Sequence, residues 1–161
     1  MICMAALCGS LIALPAHAGC SDAPRPGVQW VRCDMAGRDM SGADLTGADL
    51  RQTRFTRSSF QDAILREADG RRAQFVSTDL RNADLTDARL SSADFTRADL
   101  RNASLKNADL TEARLFRADL RGADLSGARL ADVDLFRADL SGALWTDGET
   151  ICRDESIGSC R

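Results

Sequence analysis

A large apolar residue recurs at every fifth position of the chain from Met40 to Trp145. Of these 22 positions, 21 are Leu, Phe, Met or Trp, and the exception is Gly70. Ala stands two residues before the apolar position in 17 of the 22 cases, so the unit reads Ala-Asp-Leu-x-x, as in Ala43-Asp44-Leu45. The register never slips, which indicates one repeating architecture over most of the chain.

A period of five fits neither a regular helix nor a flat strand. Five residues advance an α-helix by about 500°, which would spread successive Leu residues around its axis. Five is also odd, so successive Leu residues would alternate between the two faces of a flat strand. Ala and Leu, two residues apart, do point the same way in extended chain. The pattern therefore predicts an all-β solenoid that turns a corner after each short extended piece.

Four such pieces close a coil of about twenty residues, and parallel coils stack about 4.8 Å apart. Residues 38–145 then form about five coils, with Leu and Phe on the axis. Residues twenty apart should stack in ladders, and one interior ladder contains Phe55, Phe75 and Phe95, followed by Leu115 and Leu135. Gly70 interrupts another ladder, where it predicts a cavity or a sunken backbone, either as a functional kink or as a tolerated defect.

The Ala-(Asp/Asn/Ser/Arg)-(Leu/Phe)-x-x array resembles the pentapeptide-repeat family. The resemblance implies a right-handed quadrilateral β-helix. The two ends of the array are also similar to those of exported bacterial members of the family. Pro26-Gly27-Val28-Gln29-Trp30 and Cys33 precede the array, whereas Trp145-Thr146-Asp147-Gly148 and Gly158-Ser159-Cys160 follow it.

The first 18 residues are typical of a secretory signal peptide. They contain no Asp, Glu, Lys or Arg, and the apolar run Ala5–Leu14 is too short to span a bilayer. Ala16-His17-Ala18 has the small-x-small form of a cleavage site. The missing basic residue indicates either a weak signal or a start codon placed downstream of the true one. A buried apolar helix is the alternative interpretation of this segment.

Ala18-Gly19-Cys20 resembles the end of a lipobox, but His17 stands where an aliphatic residue is expected. We therefore expect cleavage after Ala18 rather than a lipid anchor at Cys20. The predicted organisation is a signal peptide over 1–18, an N-terminal lead-in over 19–37, the repeat array over 38–145 and a C-terminal tail over 146–161. The predicted location is periplasmic or secreted.

Cleavage leaves an even set of cysteines, which in an exported chain suggests disulfides; these are Cys20, Cys33, Cys152 and Cys160. Of the three possible pairings, the local one joins Cys20 to Cys33 and Cys152 to Cys160. It is favoured because a solenoid holds its ends apart. For the same reason, thiolates at opposite ends cannot converge on one metal ion. Trp30 and Trp145 are expected to cover the ends of the solenoid.

Composition and missing motifs narrow the function. The chain has 21 Lys and Arg against 24 Asp and Glu, and this net charge of −3 is too small to suggest a nucleic-acid binder. The only His leaves with the signal peptide, so no Ser-His-Asp or Cys-His arrangement remains. No phosphate-binding or dinucleotide-binding motif occurs. The array also lacks insertions that could build a cleft. We therefore expect a non-catalytic protein without a cofactor.

Two outward ladders are candidate functional surfaces. Two Phe residues with Arg residues beside them form a candidate contact patch, which consists of Phe116, Phe136, Arg97, Arg117 and Arg137. Both Phe side chains are expected to be exposed, and ordinary cross-strand surface packing is the alternative interpretation.

The other ladder is charged: Asp79, Asp99, Asp119 and Asp139 stack beside Arg81, Arg101 and Arg121. This spacing predicts a charge-compensated face. A calcium site is disfavoured there, because a straight column of carboxylates wraps no ion.

Two functions remain open. The first is an exported, non-catalytic structural or protein-interaction scaffold, whose partner is an unknown protein or a second copy of the chain. The alternative is a DNA-mimicking inhibitor of a type II topoisomerase such as gyrase, as the family resemblance implies. This alternative is disfavoured because a DNA mimic needs a strongly acidic surface, whereas the basic residues of this chain nearly balance the acidic ones. An exported protein would also not meet a cytoplasmic topoisomerase. We expect neither nucleic-acid binding nor a membrane span.

Overall fold

The computed structural model describes residues 19–161, and the predicted signal peptide over 1–18 lies outside the described residues. From Gln29 to Leu144, every fifth residue forms a single-residue parallel β-bridge with the residue twenty positions away. The first bridge joins Gln29 to Asp49 and the last joins Asp124 to Leu144. A bridge every five residues with partners twenty apart places the bridges in four columns. The chain therefore winds into a β-helix.

Between residues 19 and 161, no helix is long and apolar enough to cross a membrane.

The corner after each bridge is a four-residue turn. The Ala43 amide donates to the Met40 carbonyl at 3.0 Å, and the same bond recurs along the array. The third residue of each turn has a positive φ, as Gly42 (67°) and Arg57 (59°) do, which is the requirement of a type II turn. A non-glycine residue in this conformation costs roughly 1–2 kcal/mol, and the ladder bonds and core contacts of each coil offset that cost.

The Asp of the repeat stabilises the turn that follows it. The Asp44 carboxylate accepts the backbone N–H of Thr46 at 3.0 Å, and Asp94 accepts that of Thr96 at 2.9 Å. Such Asx bonds hold the N–H group of the second turn residue in place. The hydroxyl and the N–H of Thr46 also lower the pKa of the Asp44 carboxyl. The consensus Asp is therefore a local turn-forming residue.

The interior is filled by the side chains that the five-residue register predicts. Phe75 lies between Phe55 and Phe95, with ring centroids at 5.2 and 4.9 Å and nearly parallel planes. Phe60 meets Phe55 edge-on at 5.0 Å. These rings are fully buried, as are Leu and Ala at most repeat positions. The twenty-residue interior ladder is thus confirmed by the packing.

The missing side chain at Gly70 leaves the ladder intact. The Gly70 amide donates to the Arg89 carbonyl at 2.8 Å, like its neighbours in the column. A Cβ atom placed on Gly70 would lie 2.9 Å from Leu90 Cδ2. The Leu90 side chain therefore occupies the space that a larger residue would need, and the backbone register does not change.

Regular bridging begins at Gln29, upstream of the boundary predicted at residue 38. Trp30 and Met35 continue the five-residue register of Met40, and both are buried. Trp30 therefore packs inside the helix, where it was expected to cover the end. The physical reason is that large apolar side chains at these positions fill the axis as Leu does further along.

The C-terminal tail covers only part of the last coil. It folds back and forms antiparallel bridges from Ile151 to Leu144 and from Ile157 to Asp139. Among residues 19–161, the backbone N–H groups of Leu130 and Leu135 have no hydrogen-bond acceptor. Trp145 is half-buried against the core. Two of the four bridge columns are therefore capped at this end.

Each end of the helix carries one disulfide. Cys20 is bonded to Cys33 with Cα atoms 5.5 Å apart, and Cys152 is bonded to Cys160 with Cα atoms 4.9 Å apart. Each bridge joins residues close in sequence, separated by 13 and 8 positions. The Cys20–Cys33 bridge ties the lead-in to the first coil. The Cys152–Cys160 bridge closes a loop within the tail, and backbone bonds such as that from the Gly142 amide to the Cys152 carbonyl at 2.8 Å hold the tail to the last coil.

Candidate functional site

The aromatic patch, defined as Phe116, Phe136, Arg97, Arg117 and Arg137, lies on one corner of the helix near its C-terminal end. Phe116 and Phe136 are the second residues of successive corners, and the Arg117 amide joins these corners by donating to the Phe136 carbonyl at 3.1 Å. The two rings stack with centroids 6.0 Å apart and an angle of 17° between their planes. The backbone ladder therefore sets the ring stacking.

Two of the three arginines of the patch lie over its rings. The Cζ atom of Arg117 is 5.2 Å from the Phe116 centroid, and that of Arg137 is 5.4 Å from the Phe136 centroid. Within the part of the chain that the structure describes, Arg97 makes no such contact with either ring. The cation–π contacts hold two planar guanidinium groups against the aromatic surface.

The two Phe residues differ in exposure. Phe136 is 61% exposed, as expected. Phe116 is half-buried, which corrects the expectation that both rings are exposed. The reason is their position along the helix. The Phe136 ring and the Arg117 guanidinium cover Phe116, whereas within residues 19–161 the parallel coils do not continue the stack beyond Phe136.

The charged face beside the patch is compensated in a regular way. Arg101 donates to both oxygens of Asp99 at 2.8 and 2.6 Å, and its Nε lies 3.6 Å from Asp119 of the next coil. Arg81 and Arg121 repeat this arrangement on neighbouring coils. The Arg81 hydrogen bond lowers the pKa of the Asp79 carboxyl. The predicted charge compensation is confirmed.

A second surface brings together residues that the sequence interpretation did not group. It is a depression of about 370 Å³ lined by Arg51, Gln52, Arg71, Arg72, Ser91 and Ser92. These six residues are the second and third turn positions of three successive coils, on the corner that follows Leu50, Gly70 and Leu90. The twenty-residue spacing of Arg51 and Arg71 is the sequence signal that could have found it.

The repeat matches a known family over most of its length. A family model of pentapeptide repeats, in eight copies, matches residues 27–57, 53–87, 78–117 and 113–144. This chain belongs to the pentapeptide-repeat family. Proteins of this family form right-handed β-helices, in agreement with the parallel bridges. The Cys-containing end caps complete the likeness that the sequence indicated.

Solved structures of other pentapeptide-repeat proteins are similar to this chain over part of its length. One from Nostoc PCC 7120 is 38% identical, over 56% of this chain and 73% of its own, with a TM-score of 0.49. One from the Arabidopsis thaliana thylakoid lumen is 30% identical, over 66% and 68%, with a TM-score of 0.34. QnrB1, a plasmid-mediated fluoroquinolone resistance protein, is 19% identical over 74% and 75%, with a TM-score of 0.39. No curated protein matches the chain.

Proposed function

We propose that this pentapeptide-repeat protein is a non-catalytic, exported scaffold that binds a protein partner, or a second copy of itself, through its outer surface. The observation that carries the proposal is the filled interior, in which the Leu, Phe and Ala side chains of the repeat are almost completely buried from Leu45 to Leu125. In the part of the chain that the structure describes, an interior packed in this way leaves no axial cleft for a substrate. Only the side faces and the ends remain for recognition.

In this proposal the four bridge columns are the four sides of a right-handed quadrilateral β-helix. The array over 38–145 contributes about five coils of roughly twenty residues each. A rigid rod of this form presents the same turn position of successive coils in a straight line. Side chains at the same turn position of successive coils can therefore act together as one extended binding surface.

The aromatic patch is the proposed contact surface for the protein partner. Phe136 is 61% exposed, more than any other aromatic side chain in the described part of the chain. Aromatic residues and Arg are enriched at protein interfaces and dominate binding energy when they are desolvated. Stacking on Phe116 and the contact with Arg137 hold the ring before binding, which reduces the entropy lost on association.

Export supplies the oxidising compartment that the end caps require. Disulfides persist in exported proteins and are rare in the cytosol, and this chain carries one at each end. Cleavage after Ala18 would release Gly19 as the new N-terminus. The Cys20 sulfur is bonded to Cys33, so it is not free to carry the thioether of a lipid anchor. The mature protein is therefore proposed to be periplasmic or secreted without an anchor.

The charge distribution disfavours the alternative function of a DNA-mimicking gyrase inhibitor. A DNA mimic presents uncompensated acidic groups, whereas Asp99 and Asp119 each contact an Arg of their own coil. A supercoiling assay with purified mature protein tests the alternative. We expect no inhibition of gyrase, and inhibition at stoichiometric protein would replace the scaffold proposal.

Site-specific crosslinking tests the scaffold proposal. A photoreactive benzoylphenylalanine at position 136 should form an adduct in the exported fraction of living cells. The matched control places benzoylphenylalanine at position 56. Thr56 holds the same turn position as Phe136 on an earlier coil, away from the Phe pair. We expect benzoylphenylalanine at position 136 to form an adduct, and we expect Arg137→Glu to abolish that adduct. Benzoylphenylalanine at position 56 should form none. Equal labelling from both positions, or none from 136, contradicts the proposed contact surface.

A further inference from the structure

The depression lined by Arg51, Arg71 and Arg72 has a cause in the sequence of three neighbouring corners. The first two corners in chain order carry the long side chains of Arg51-Gln52 and Arg71-Arg72, whereas the third carries only Ser91-Ser92. The short Ser side chains leave an open step beside the Arg side chains. A volume of about 370 Å³ lies at the lower end of the range for small-molecule sites.

Two of the arginines are held in fixed orientations by neighbouring carboxylates. Arg51 donates from Nε and Nη2 to Asp49 at 2.7 and 2.6 Å. Arg71 donates from the same atoms to Asp69 at 2.8 and 2.7 Å. Each guanidinium therefore keeps its Nη1 group for another acceptor. The aligned corners present these two groups side by side on successive coils.

Asp69 is the carboxylate at the base of this cluster. Its side chain is only 10% exposed, and Arg71, Arg89 and Arg51 lie 2.7, 3.6 and 3.9 Å from it. Burial alone would raise the pKa of the Asp69 carboxyl, but Arg71 and Arg89 lower it below its ordinary value. The carboxylate is therefore ionised at neutral pH and holds the surrounding guanidinium groups in place.

Arg72 adds a further guanidinium to the depression. Among residues 19–161, no acceptor lies within hydrogen-bond or ion-pair distance of it, although it lines the depression. Gln52 contributes an amide whose oxygen already accepts a bond from Arg32 at 2.7 Å, which leaves its NH₂ group to donate. Ser91 and Ser92 add hydroxyls, of which Ser92 donates to Glu112 at 2.9 Å.

The balance of charge in this cluster is positive, although the whole chain carries −3. Five arginines stand against three carboxylates in the contacts just described; the arginines are Arg32, Arg51, Arg71, Arg72 and Arg89, and the carboxylates are Asp49, Asp69 and Glu112. A dianion placed in the depression would neutralise the surplus. Donors on three successive coils can meet several oxygens of a tetrahedral oxyanion, whereas a planar carboxylate offers only two.

We infer that the depression over Arg51, Arg71 and Arg72 is a binding site for the phosphate group of a small phosphate ester. Arg72 and the free Nη1 groups of Arg51 and Arg71 would contact the phosphate oxygens, and Gln52 and Ser91 would contact the attached molecule. The site spans three coils, or about 10 Å along the axis, which fits one phosphate ester and is short for a polyanionic strand. The inference does not depend on the aromatic patch.

Isothermal titration at low ionic strength tests the site, with glucose 6-phosphate, inorganic phosphate and acetate as probes. Glucose 6-phosphate should bind saturably and acetate should bind at least about tenfold more weakly. Arg72→Gln should weaken glucose 6-phosphate binding by roughly tenfold or more, as expected for loss of a charge-assisted hydrogen bond. Because Arg72 makes no hydrogen bond or ion pair with any residue between 19 and 161, this variant should fold like the wild type.

Arg57→Gln is the matched control, since Arg57 holds the same turn position with the same φ of 59° on another corner. It should leave the affinity unchanged. Equal losses in Arg57→Gln and Arg72→Gln, unchanged affinity in Arg72→Gln, or no saturable binding of any phosphate probe would overturn the inference. Tighter, Arg72-dependent binding of a single-stranded oligonucleotide would overturn it as well, in favour of a nucleic-acid ligand.

Vesicle sedimentation separates the two sources of a phosphate ester. Vesicles of phosphatidic acid and phosphatidylcholine should retain the wild type and lose Arg72→Gln if the ligand is a lipid headgroup. Binding of glucose 6-phosphate with no retention on vesicles assigns a soluble ester. Both results support the site, and they differ only in where its ligand comes from.

Discussion

Phe75 and Phe95 stand twenty residues apart and stack with ring centroids separated by 4.9 Å and planes within 5° of parallel. Neighbouring strands in a sheet are separated by almost the same distance, about 4.8 Å. The ring ladder and the backbone ladder therefore share one repeat. Each interior side chain therefore fills the space of a single coil. For this reason Phe and Leu can occupy the same interior column.

Truncation within the Phe ladder should be costly. Phe75→Ala should lower the free energy of unfolding by about 3–5 kcal/mol, because it opens a cavity between two stacked rings. Phe75→Leu should cost less than about 1.5 kcal/mol, because Leu115 and Leu135 occupy the same column. Denaturant melts measure both. A similar cost for the two variants would contradict the column assignment.

The inward register can be tested with two adjacent residues. Leu100 is fully buried, and Leu100→Asp should cost about 4 kcal/mol or more because it places a charge on the apolar axis. Arg101→Ala removes only surface ion pairs with Asp99 and Asp119, so it should cost less than about 1 kcal/mol. Chemical denaturation compares them, and a reversed order of the two costs would refute the inward position of Leu100.

The compensated face should make stability depend on acid pH. Hydrogen bonding to Arg81 lowers the pKa of Asp79 below its ordinary value of 3.8. A carboxyl with a lowered folded-state pKa contributes stability above that ordinary value and loses it as the pH falls through the folded value. Wild-type stability should therefore decrease as the pH falls below about 4, whereas Asp79→Asn should show a shallower decrease.

Asp87→Asn provides the control for that acid dependence, since Asp87 is exposed and makes no ion pair among the described residues. Its unfolding free energy should follow the wild-type curve as the pH is lowered. High salt should reduce the difference between Asp79→Asn and the wild type. A wild-type curve that stays flat down to about pH 2 would contradict the stabilising role of the Asp79–Arg81 pair.

Loss of the C-terminal disulfide should loosen the end before the middle. The tail is held by the Leu140 amide donating to Ser156 and the Gly142 amide donating to Cys152, both within 3 Å. The Cys152–Cys160 bridge should contribute roughly 2–3 kcal/mol. Hydrogen exchange of Cys152→Ala/Cys160→Ala should accelerate at residues 140–145 and stay unchanged near Leu100. Uniform acceleration along the chain would indicate a globally cooperative unit instead.

Most of the fold follows from the sequence because each repeat obeys the same local rules. The apolar residue at every fifth position and the Ala before it fix the interior. The pairing of Asp99 with Arg101 follows from their spacing of two residues, and the contact of Arg101 with Asp119 follows from the coil length. These contacts depend only on the repeat, so one sequence contains enough information to predict them.

The sequence did not predict certain features at the ends of the helix, or features at places where neighbouring corners carry side chains of different size. The half-buried state of Phe116 depends on Phe136 and on the end of the stack, neither of which the register describes. The interior position of Trp30 lay outside the array as first delimited. The depression beside Arg72 arises because Ser91 and Ser92 are short. A repeat pattern records neither where the stack of coils ends nor how side-chain size differs between neighbouring coils.

Non-reducing peptide mapping of the protein recovered from the periplasm or the medium tests the central claim, an exported rod capped by a local disulfide at each end. The account predicts an N-terminal peptide that begins at Gly19 and is linked from Cys20 to Cys33, a second linkage from Cys152 to Cys160, and no lipid on Cys20. A retained segment 1–18, a lipid thioether on Cys20, or a bond between Cys33 and Cys152 would contradict it.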